Sequence, residues 1–502
     1  LIVAKQAKTS PVILAGEIVD KIKAKKYDVV DSITVVEPGF INILLSQDFL
    51  ITQSMRMLES FEKVVPTRKT GELELIENTQ PNTNKPLHIG HLRNIALGLS
   101  IVNLRKAIGK NAISVNINND RGAHICKAML GYLYGGLDSA KNDPFISKFN
   151  ASDKKAPIYW REMLDTWYKD ESLWITPERE KKAEYKKSDA FVGRFYVEGS
   201  TQEEEIPVMK QYIQEMLQAW EDKDEKVRAL WKQMNDWFYE GFKQTHARFL
   251  GIEPTDAQFD KEWYESDIYQ YGKEIIMENI DKGLFYKRED GAIVTNLSKY
   301  NLPDKVVIRS DGTSIYITQD IALSKDRIEK EHANLVAYVV GNEQDLHFKQ
   351  LFAICEELGI GRQNNFLHIS YGMVNLKGGV KMSSRTGTVI TGDELMDSVH
   401  KKIKESFSMQ NDHIVDSIAI SAIKYEMLKH HPKTAFDFDI EESISIEGNS
   451  GAYLQYTYAR TQSVLEKNKN REKTTFNHYE NISLIEEVLQ LLRFLIHYDE
   501  VV

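Results

Sequence analysis

Apolar and polar positions alternate in a way that predicts a strand, a polar loop and a helix in succession between residues 72 and 99. Residues 72–76 alternate charged and apolar side chains, which is typical of a short strand. Leu92, Ile95 and Leu99 then recur at the spacing of one helical face. The loop between them is rich in proline and asparagine, which favour a turn. Such a junction offers free backbone N–H groups and the positive end of a helix to an anion.

Further apolar runs of strand length predict a mostly parallel sheet. They alternate with polar loops and helical patterns, as expected of parallel strands joined by helices. The runs are 112–116, 306–310, 335–340 and 366–369. Gly90, Gly341 and Gly372 lie in loops after predicted strands. We therefore expect these loops to meet at the carboxyl ends of the strands, where such sheets bind ligands.

Three other stretches differ from this alternation. Residues 1 to about 65 predict a small α/β unit, with a helix from Val12 that ends in lysines and two strands around a Pro-Gly turn. Residues 131–250 contain charged, solvated segments and a helix from Val227. The aromatic stripe of that helix is more typical of a core than of a surface that stacks bases. From about residue 396 the pattern is helical.

Composition narrows the class of protein. The 502 residues, 42% of them apolar, are enough for about three to five domains with sizeable cores. The sequence shows neither a membrane-spanning run nor a signal peptide. Two distant cysteines argue against a disulfide framework or a cysteine zinc site and are typical of a reducing cytoplasm. A net charge of −10 requires any nucleic-acid surface to be local. Because the chain begins without Met and ends within a pattern, we expect a fragment.

Two constellations in the predicted loops suggest chemistry. His88 and His91 flank Gly90, where imidazoles can donate hydrogen bonds to phosphate oxygens and glycine lets a ligand approach the backbone. Taken alone, two helix-capping or core histidines explain this spacing equally well. Tyr316 and Asp320 lie four residues apart, on one face of a predicted helix, and suit a planar guanidinium group. A capped helix with exposed polar residues is the alternative.

The string His-Ile-Gly-His at 88–91 matches the HIGH motif of class I aminoacyl-tRNA synthetases. The surrounding pairs that resemble the arginyl-tRNA synthetase form of it are Pro81-Asn82, Lys85-Pro86 and Leu92-Arg93. Residues 378–387, which include Lys381, are similar to the KMSKS loop of the same class. Ser384 stands where many of these enzymes have a second lysine, and the resemblance implies that Lys85 substitutes for it.

The resemblance implies one active site for ATP and arginine. The residues that it assigns to catalysis are Lys85, His88, His91 and Lys381. Those that it assigns to ATP are His88, Gly90, His91, Lys381, Met382 and Ser383. Those that it assigns to arginine are Glu77, Gln80, Asn82, His91, Tyr316, Asp320 and Gln344. Arg121 and His124 replace a Trp and a Gln of the family pattern, so neither is assigned to the site, and no residue is assigned to a metal.

The resemblance extends from about residue 12 to 470. It implies an α/β fold with a Rossmann-like parallel-sheet catalytic core that is split by an insertion, a small N-terminal α/β domain and a C-terminal α-helical domain. The expected domains are 1–65 for an additional tRNA-binding domain, 66–130 and 251–395 for the two halves of the core, 131–250 for the connective insertion and 396–502 for an anticodon-binding domain. Both outer domains are expected to be truncated, and a plain packing role is the alternative for the first.

The implied activity is the ATP-dependent activation of L-arginine and its transfer to the 3′ end of tRNA(Arg). We expect ATP with Mg²⁺ as a substrate, no zinc and no tightly bound cofactor, in a cytoplasmic monomer that does not contact a membrane. Two rival functions stay open. A HIGH-type enzyme for another acid would lack Glu77, Tyr316 and Asp320 as a set, and a non-catalytic tRNA-binding relative would have lost part of the HIGH motif or Lys381.

Overall fold

The chain divides into two compact units. The computed structural model describes residues 2–64, 71–153, 157–310, 312, 315–377, 390–469 and 484–496. The first unit comprises Leu1–Gly71, Leu104–Lys110 and Leu465–Val502, and the second comprises Glu72–Asn103 and Asn111–Val464. Three residues predicted to bind ATP lie outside the described ranges, and these are Lys381, Met382 and Ser383.

Helices and a hairpin form the N-terminal part of the first unit. Its elements are α1 (Ile2–Gln6), α2 (Pro11–Ala24), β1 (Val30–Val36), β2 (Phe40–Leu45) and α3 (Gln47–Val64). The strands pair antiparallel with Val36 opposite Phe40, so the chain reverses at the Pro-Gly turn. Gly39 there has a φ of 125°, which side chains rarely tolerate. The predicted helix with a basic end and the predicted strand pair are confirmed.

The second unit contains most of the strands and helices. Its strands are β3 (Leu73–Glu77), β4 (Asn111–Asn118), β5 (Lys261–Tyr264), β6 (Phe285–Lys287), β7 (Ile293–Thr295), β8 (Val306–Ile308), β9 (Leu335–Gly341), β10 (Phe366–Tyr371), β11 (Val374–Leu376) and β12 (Phe436–Phe438). The helices wholly or partly in it are α4 (Ile89–Ala107), α5 (Ala123–Gly135), α6 (Pro144–Asn150), α7 (Trp160–Lys169), α8 (Ser188–Glu205), α9 (Pro207–Glu221), α10 (Glu225–Leu250), α11 (Glu265–Met277), α12 (Tyr316–Lys325), α13 (Asp345–Glu357), α14 (Gly392–Phe407), α15 (Asp412–Leu428), α16 (Ile440–Ser443) and α17 (Gly451–Lys467). The last helix, α18 (Glu486–Ile496), belongs to the first unit.

A five-stranded parallel sheet forms the centre of the second unit. Its strand order is β10-β9-β3-β4-β5, and every neighbouring pair is parallel. From β3 the chain builds outward through β4 and β5, and it then returns to add β9 and β10 on the other side of β3. The order therefore reverses between β3 and β9, and the crevice at such a switch point is where open α/β sheets bind ligands. The predicted Rossmann-like parallel core is confirmed.

One predicted strand of this sheet is wrong. The apolar run at 306–310 forms β8, which pairs antiparallel with β7 in a separate three-stranded sheet. Val307 and Ile308 are apolar because they are buried, and a short buried run does not reveal which sheet it joins. The fifth parallel strand is instead β5, which pairs with β4 alone. Its mixture of Lys, Glu, Trp and Tyr suits the edge of a sheet, which is why a search for apolar runs misses it.

The aromatic stripe of α10 lies in the core, as predicted. Trp160, Phe195 and Trp237 lie fully inside an apolar cluster built mainly by α5 and α7 to α10. Phe238 and Phe242 of the same helix as Trp237 lie in a second cluster with residues of α4, α14 and α15. Because α10 contributes to both clusters, it joins the insertion to the helix that follows the HIGH motif. The helical pattern predicted after residue 396 is confirmed by α14 to α17.

Candidate active site

A cavity of about 690 Å³ opens at the carboxyl ends of the parallel strands. It is lined by residues at the ends of β3, β4, β9 and β10, which include Glu77, Ile117, Gly341 and Tyr371. The predicted site residues among its lining are Glu77, Gln80, Asn82, His88, Gly90, His91, Tyr316, Asp320 and Gln344. Lys85 does not line it. The structure thus brings together predicted site residues from three separate stretches of the sequence.

The turn after β3 is held in an unusual backbone conformation. Thr79 and Gln80 both have positive φ, at 74° and 48°, a backbone conformation that is costly for residues other than glycine. The N–H of Thr79 donates to Asn94 Oδ1 at 2.7 Å, and the N–H of Gln80 donates to Asn116 Oδ1 at 3.0 Å. These bonds from α4 and β4 compensate the strain. The turn places Gln80 Nε2 at 2.6 Å from Glu77 Oε1, at the wall of the cavity.

The two histidines of the HIGH motif are fixed by backbone N–H groups. The N–H of His88 donates to His91 Nδ1 at 3.0 Å, and the N–H of Gly90 donates to His88 Nδ1 at 3.1 Å. A neutral imidazole whose Nδ1 accepts a hydrogen bond carries its proton on Nε2. Nε2 of each ring is therefore the atom that remains to donate to a ligand. A Cβ on Gly90 would lie 3.0 Å from His88 Cε1, so the loop has little room for a side chain there.

Burial keeps both imidazoles neutral. Loss of solvation, helped by the charge of Lys85, lowers the pKa of His88 to about 3. Loss of solvation, with His88 and Lys85 adding to it, lowers the pKa of His91 well below its usual range. At pH 7 the pair can therefore donate two N–H bonds without carrying charge.

The chain that follows the KMSKS-like stretch lies beside the HIGH loop. The N–H of Gly392 donates to the carbonyl of Leu87 at 2.7 Å, and Thr391 forms an antiparallel bridge with His88. Thr391 Oγ1 accepts the N–H of Glu394 at 3.1 Å and so caps α14. Residues 378–387 themselves lie outside the described ranges, whereas Thr391 and Gly392 lie next to the HIGH loop.

Lys85 lies within the loop that precedes the histidines, where burial lowers the pKa of its ammonium group. The connective insertion supports this loop, because a Cβ on Gly193 of α8 would lie 2.7 Å from Pro86 Cδ. A partly buried ammonium is costly to keep charged unless an anion comes close. This position is therefore suited to a ligand phosphate.

A second part of the cavity wall carries carboxylates. Tyr316 and Asp320 lie in the first turns of α12, which confirms that they share a helical face. Asp320 Oδ2 lies 2.7 Å from His347 Nε2, a partner that the sequence did not reveal. Tyr316 lines the cavity and keeps 62% of its surface exposed, so it is not a core residue. Gln344 lies in the short turn immediately before α13.

Glu265 is a second carboxylate on this wall that sequence reasoning missed. It lines the cavity but is only 3% exposed, and its Oε1 accepts from Gln319 Nε2 at 2.6 Å. Among the described residues, Oε2 has no hydrogen-bond partner. Burial raises the pKa of this carboxyl to about 8. The stretch Trp-Tyr-Glu-Ser was noted as the start of the second half of the core, but no spacing marked its glutamate as part of the site.

Glu77 is buried and already paired inside the protein. Its carboxylate forms an ion pair with the guanidinium of Arg327, which is fully buried in a π-helical turn at Asp326–Lys330. The Arg327 guanidinium also lies over the rings of Trp263, at 4.7 Å, and Tyr338, at 5.4 Å. One oxygen of Glu77 is therefore directed to Arg327 and the other to Gln80. The role predicted for Glu77 in binding arginine stays a prediction.

Two buried residues of α4 fix the frame of the site and also escaped sequence reasoning. Asn94 Nδ2 donates to the carbonyl of Val339 at 2.8 Å, which joins α4 to the switch-point strand β9. The Arg93 guanidinium donates to the carbonyls of Gly372 at 2.6 Å and Pro432 at 2.9 Å. These bonds hold β9, the loop after β10 and the loop after α15 against α4. Within the described ranges, no group of three or more His, Cys, Asp or Glu side chains could hold a metal ion.

A parallel sheet with a His-Ile-Gly-His loop at its switch point defines the catalytic fold of a class I aminoacyl-tRNA synthetase. Residues 57–440 match the family of tRNA synthetases class I (R), catalytic domain. Residues 1–45 match the arginyl tRNA synthetase N terminal domain. The chain therefore belongs to the arginyl-tRNA synthetase family.

Curated relatives and solved structures agree with this assignment. The chain is 36% identical over 486 residues to the arginine--tRNA ligase of Phocaeicola vulgatus, covering 92% of this chain and 74% of that protein. It is 37% identical over 469 residues to that of Borreliella afzelii, covering 90% and 71%. Its fold is similar to that of Thermus thermophilus arginyl-tRNA synthetase, with a TM-score of 0.71, 21% identity and coverage of 99% and 80%. The Plasmodium falciparum arginyl-tRNA synthetase matches with a TM-score of 0.64, 18% identity and coverage of 97% and 77%.

Proposed function

We propose that the cavity binds L-arginine and ATP together and that the chain attaches arginine to tRNA(Arg). The carboxylate of arginine attacks the α-phosphorus of ATP, and pyrophosphate leaves. A hydroxyl of the terminal ribose of tRNA then attacks the carbonyl carbon of the adenylate, and AMP leaves. The observation that carries this proposal is that one cavity is lined both by neutral imidazoles that can donate to phosphates and by the carboxylates of Glu265 and Asp320.

The carboxylate wall is assigned to the side chain of arginine. Asp320, oriented by His347, offers a carboxylate to the guanidinium, and Tyr316 orients the same group from one turn away. Glu265 adds a second carboxylate with a free oxygen. The rest of the substrate is proposed to bind to Glu77 and to three amide side chains of the lining, which are those of Gln80, Asn82 and Gln344.

The imidazole wall is assigned to ATP. Nε2–H groups of His88 and His91 are preorganised to donate to phosphate oxygens as negative charge shifts to the leaving pyrophosphate. Gly90 lets the nucleotide approach the backbone. Lys381, Met382 and Ser383 are proposed to act from the KMSKS-like stretch, and Lys85 from the HIGH loop. Mg²⁺ enters with ATP as part of the substrate. The attacking carboxylate is already ionised, so the chemistry needs positioning and charge neutralisation rather than acid–base catalysis.

The outer regions are proposed to bind tRNA. We assign residues 1–65 to the corner of tRNA and residues 396–502 to its anticodon. Between them in the sequence lie the proposed core halves, 66–130 and 251–395, and the proposed insertion, 131–250. We also propose a cytoplasmic monomer without zinc. Among the described helices, none is long and apolar enough to cross a membrane.

Amino-acid-dependent exchange of pyrophosphate into ATP tests the proposal. Each of the standard amino acids is supplied in turn, with and without tRNA(Arg). We expect exchange with arginine and with no other amino acid. Exchange driven by another amino acid would establish the rival HIGH-type enzyme, and binding of tRNA without exchange or charging would establish the non-catalytic relative.

A further inference from the structure

Arg121, in the segment after β4, has a defined environment in the structure. Arg121 follows the end of β4 and is 6% exposed. Its guanidinium lies 4.0 Å above the ring of Tyr269 and 5.7 Å from the ring of Trp220. These rings belong to α11 of the core and α9 of the insertion. A buried guanidinium packed in this way is held in place rather than free to reach solvent.

Two carboxylates from different elements compete for this guanidinium. Glu221, the last residue of α9, forms an ion pair with Nη2 and is partly exposed. Glu265, the first residue of α11, places Oε1 at 3.9 Å from Nη1. Glu265 is the carboxylate whose second oxygen has no hydrogen-bond partner among the described residues. Arg121 therefore lies next to a side chain that lines the cavity, although it does not line the cavity itself.

We infer that Arg121 is a positioning residue that favours the ionised form of Glu265, the form that binds the cationic side chain of the substrate. The inference rests on the proposed function, because it needs a cationic substrate in the cavity. Arg121 itself does not line the cavity. It acts through Glu265, and Glu221 of the insertion limits how much of its charge reaches that carboxylate.

The charges around Glu265 give the sign of the effect. Burial is the largest influence and raises the pKa of Glu265 to about 8, while Arg121 acts in the opposite direction. The other groups that influence this carboxyl or its neighbours are Asp120, Glu221, Tyr316, Asp320 and Gln319. Without Arg121, less positive charge opposes the rise of the Glu265 pKa that burial causes. The pKa of Glu265 therefore rises further, and the carboxyl keeps its proton to a higher pH. Neutralisation of Glu221 frees the charge of Arg121, so the pKa falls.

The test is the pH dependence of kcat/KM for arginine in the full chain. Exchange is measured at saturating ATP and tRNA(Arg) from pH 6.5 to 9.5. Since kcat/KM reports ionisations of the free enzyme, the midpoint of its rise follows Glu265. We expect Arg121→Gln to move the midpoint upward by about 1 pH unit and to lower kcat/KM at pH 7 by about 10-fold. Arg121→Lys, which keeps the charge, should recover part of this loss. Glu221→Gln should move the midpoint downward.

Two controls separate charge from packing. Arg228→Gln removes a neighbouring guanidinium that lies 3.3 Å from the same Trp220 ring, and it should leave the midpoint unchanged. Glu265→Gln should abolish the rise of kcat/KM for arginine with pH. Titration of the substrate's own amino group is common to all variants and cancels from the comparison.

Coincident midpoints in wild type, Arg121→Gln and Glu221→Gln would overturn the inference, as would movement of both variants in the same direction. If Arg121→Gln does not fold, the direction of the Glu221→Gln shift decides, because Glu221 is partly exposed. A wild-type enzyme that does not use arginine would instead refute the proposed function. The two failures are therefore distinguishable.

Discussion

The two walls of the cavity are built in different ways. The imidazole wall lies within one short stretch, from Glu77 to Asn94, and backbone N–H groups orient its rings. The carboxylate wall draws on α11, α12 and α13, and side chains from other elements orient its acids. The first wall depends on local geometry that a motif records. The second depends on contacts between residues far apart in the sequence, which no local motif records.

The walls also differ in charge. Burial removes the charge of His88 and His91, so that wall donates hydrogen bonds as neutral groups. On the other wall, burial of Glu265 opposes the charge that a cationic substrate needs. The same physical effect therefore helps one wall and hinders the other. This contrast leads to predictions in which the walls respond separately.

The largest expected effect is on the carboxylate wall. Asp320→Asn should raise the KM for arginine by about 10² to 10³-fold, because loss of one partner from a shielded ion pair costs about 3–5 kcal/mol. The KM for ATP should change little, and the preference for arginine over uncharged citrulline should narrow. Steady-state exchange with both amino acids measures this. Asp290→Asn, at an exposed turn, is the matched control. If Asp320→Asn prefers arginine over citrulline as strongly as the wild type does, Asp320 is not part of the site.

On the imidazole wall, His91→Ala should lower the rate of adenylate formation by about 10²-fold, because a preorganised donor to the developing charge is lost. His91→Asn separates two roles, since its side-chain oxygen can still accept the His88 N–H although the Nε2–H is absent. We expect His91→Asn to form the adenylate as slowly as His91→Ala does in single-turnover measurements. Recovery of the rate in Asn would show that His91 only shapes the loop. His413→Ala, at an exposed histidine, is the control.

A smaller effect is expected at Lys85. Lys85→Ala should lower exchange by about 10-fold or somewhat more, because a positive charge near the phosphates is lost. Ser384→Lys, at the place of the second lysine of the KMSKS motif, should restore much of the rate in that background. Lys243→Ala, at an exposed lysine of α10, is the control. If Lys85→Ala has normal steady-state kinetics, the proposed substitution of one lysine for the other is wrong.

The last comparison of the two walls requires no mutation. Between pH 6 and 7.5 the KM for ATP should stay nearly constant, because His88, with a pKa of about 3, and His91 are neutral throughout. In the same range kcat/KM for arginine should rise by about 10-fold or more, because Glu265, with a pKa of about 8, loses its proton more often as the pH rises. Initial rates at varied arginine and varied ATP measure both. A parallel pH response of the two substrates would contradict the difference between the walls.

Much of the fold and of the imidazole wall could be predicted from the sequence. The spacing of Leu92, Ile95 and Leu99 predicted α4, and the four-residue spacing of Tyr316 and Asp320 predicted their shared face on α12. The parallel sheet followed from alternation along the chain, yet the run at 306–310 was placed in the wrong sheet. Apolar runs report burial, whereas strand partners depend on where the chain returns.

The sequence by itself determined the strand, the loop and the helix around the HIGH motif, because these elements depend on residues within a few positions of one another. Tertiary structure alone decided that Asp320 meets His347, that Glu77 pairs with Arg327 and that Arg121 lies next to Glu265. It also decided the charge of each group. Solvation and Coulomb interactions depend on distance in space rather than along the chain, so a pKa is a property of the folded site.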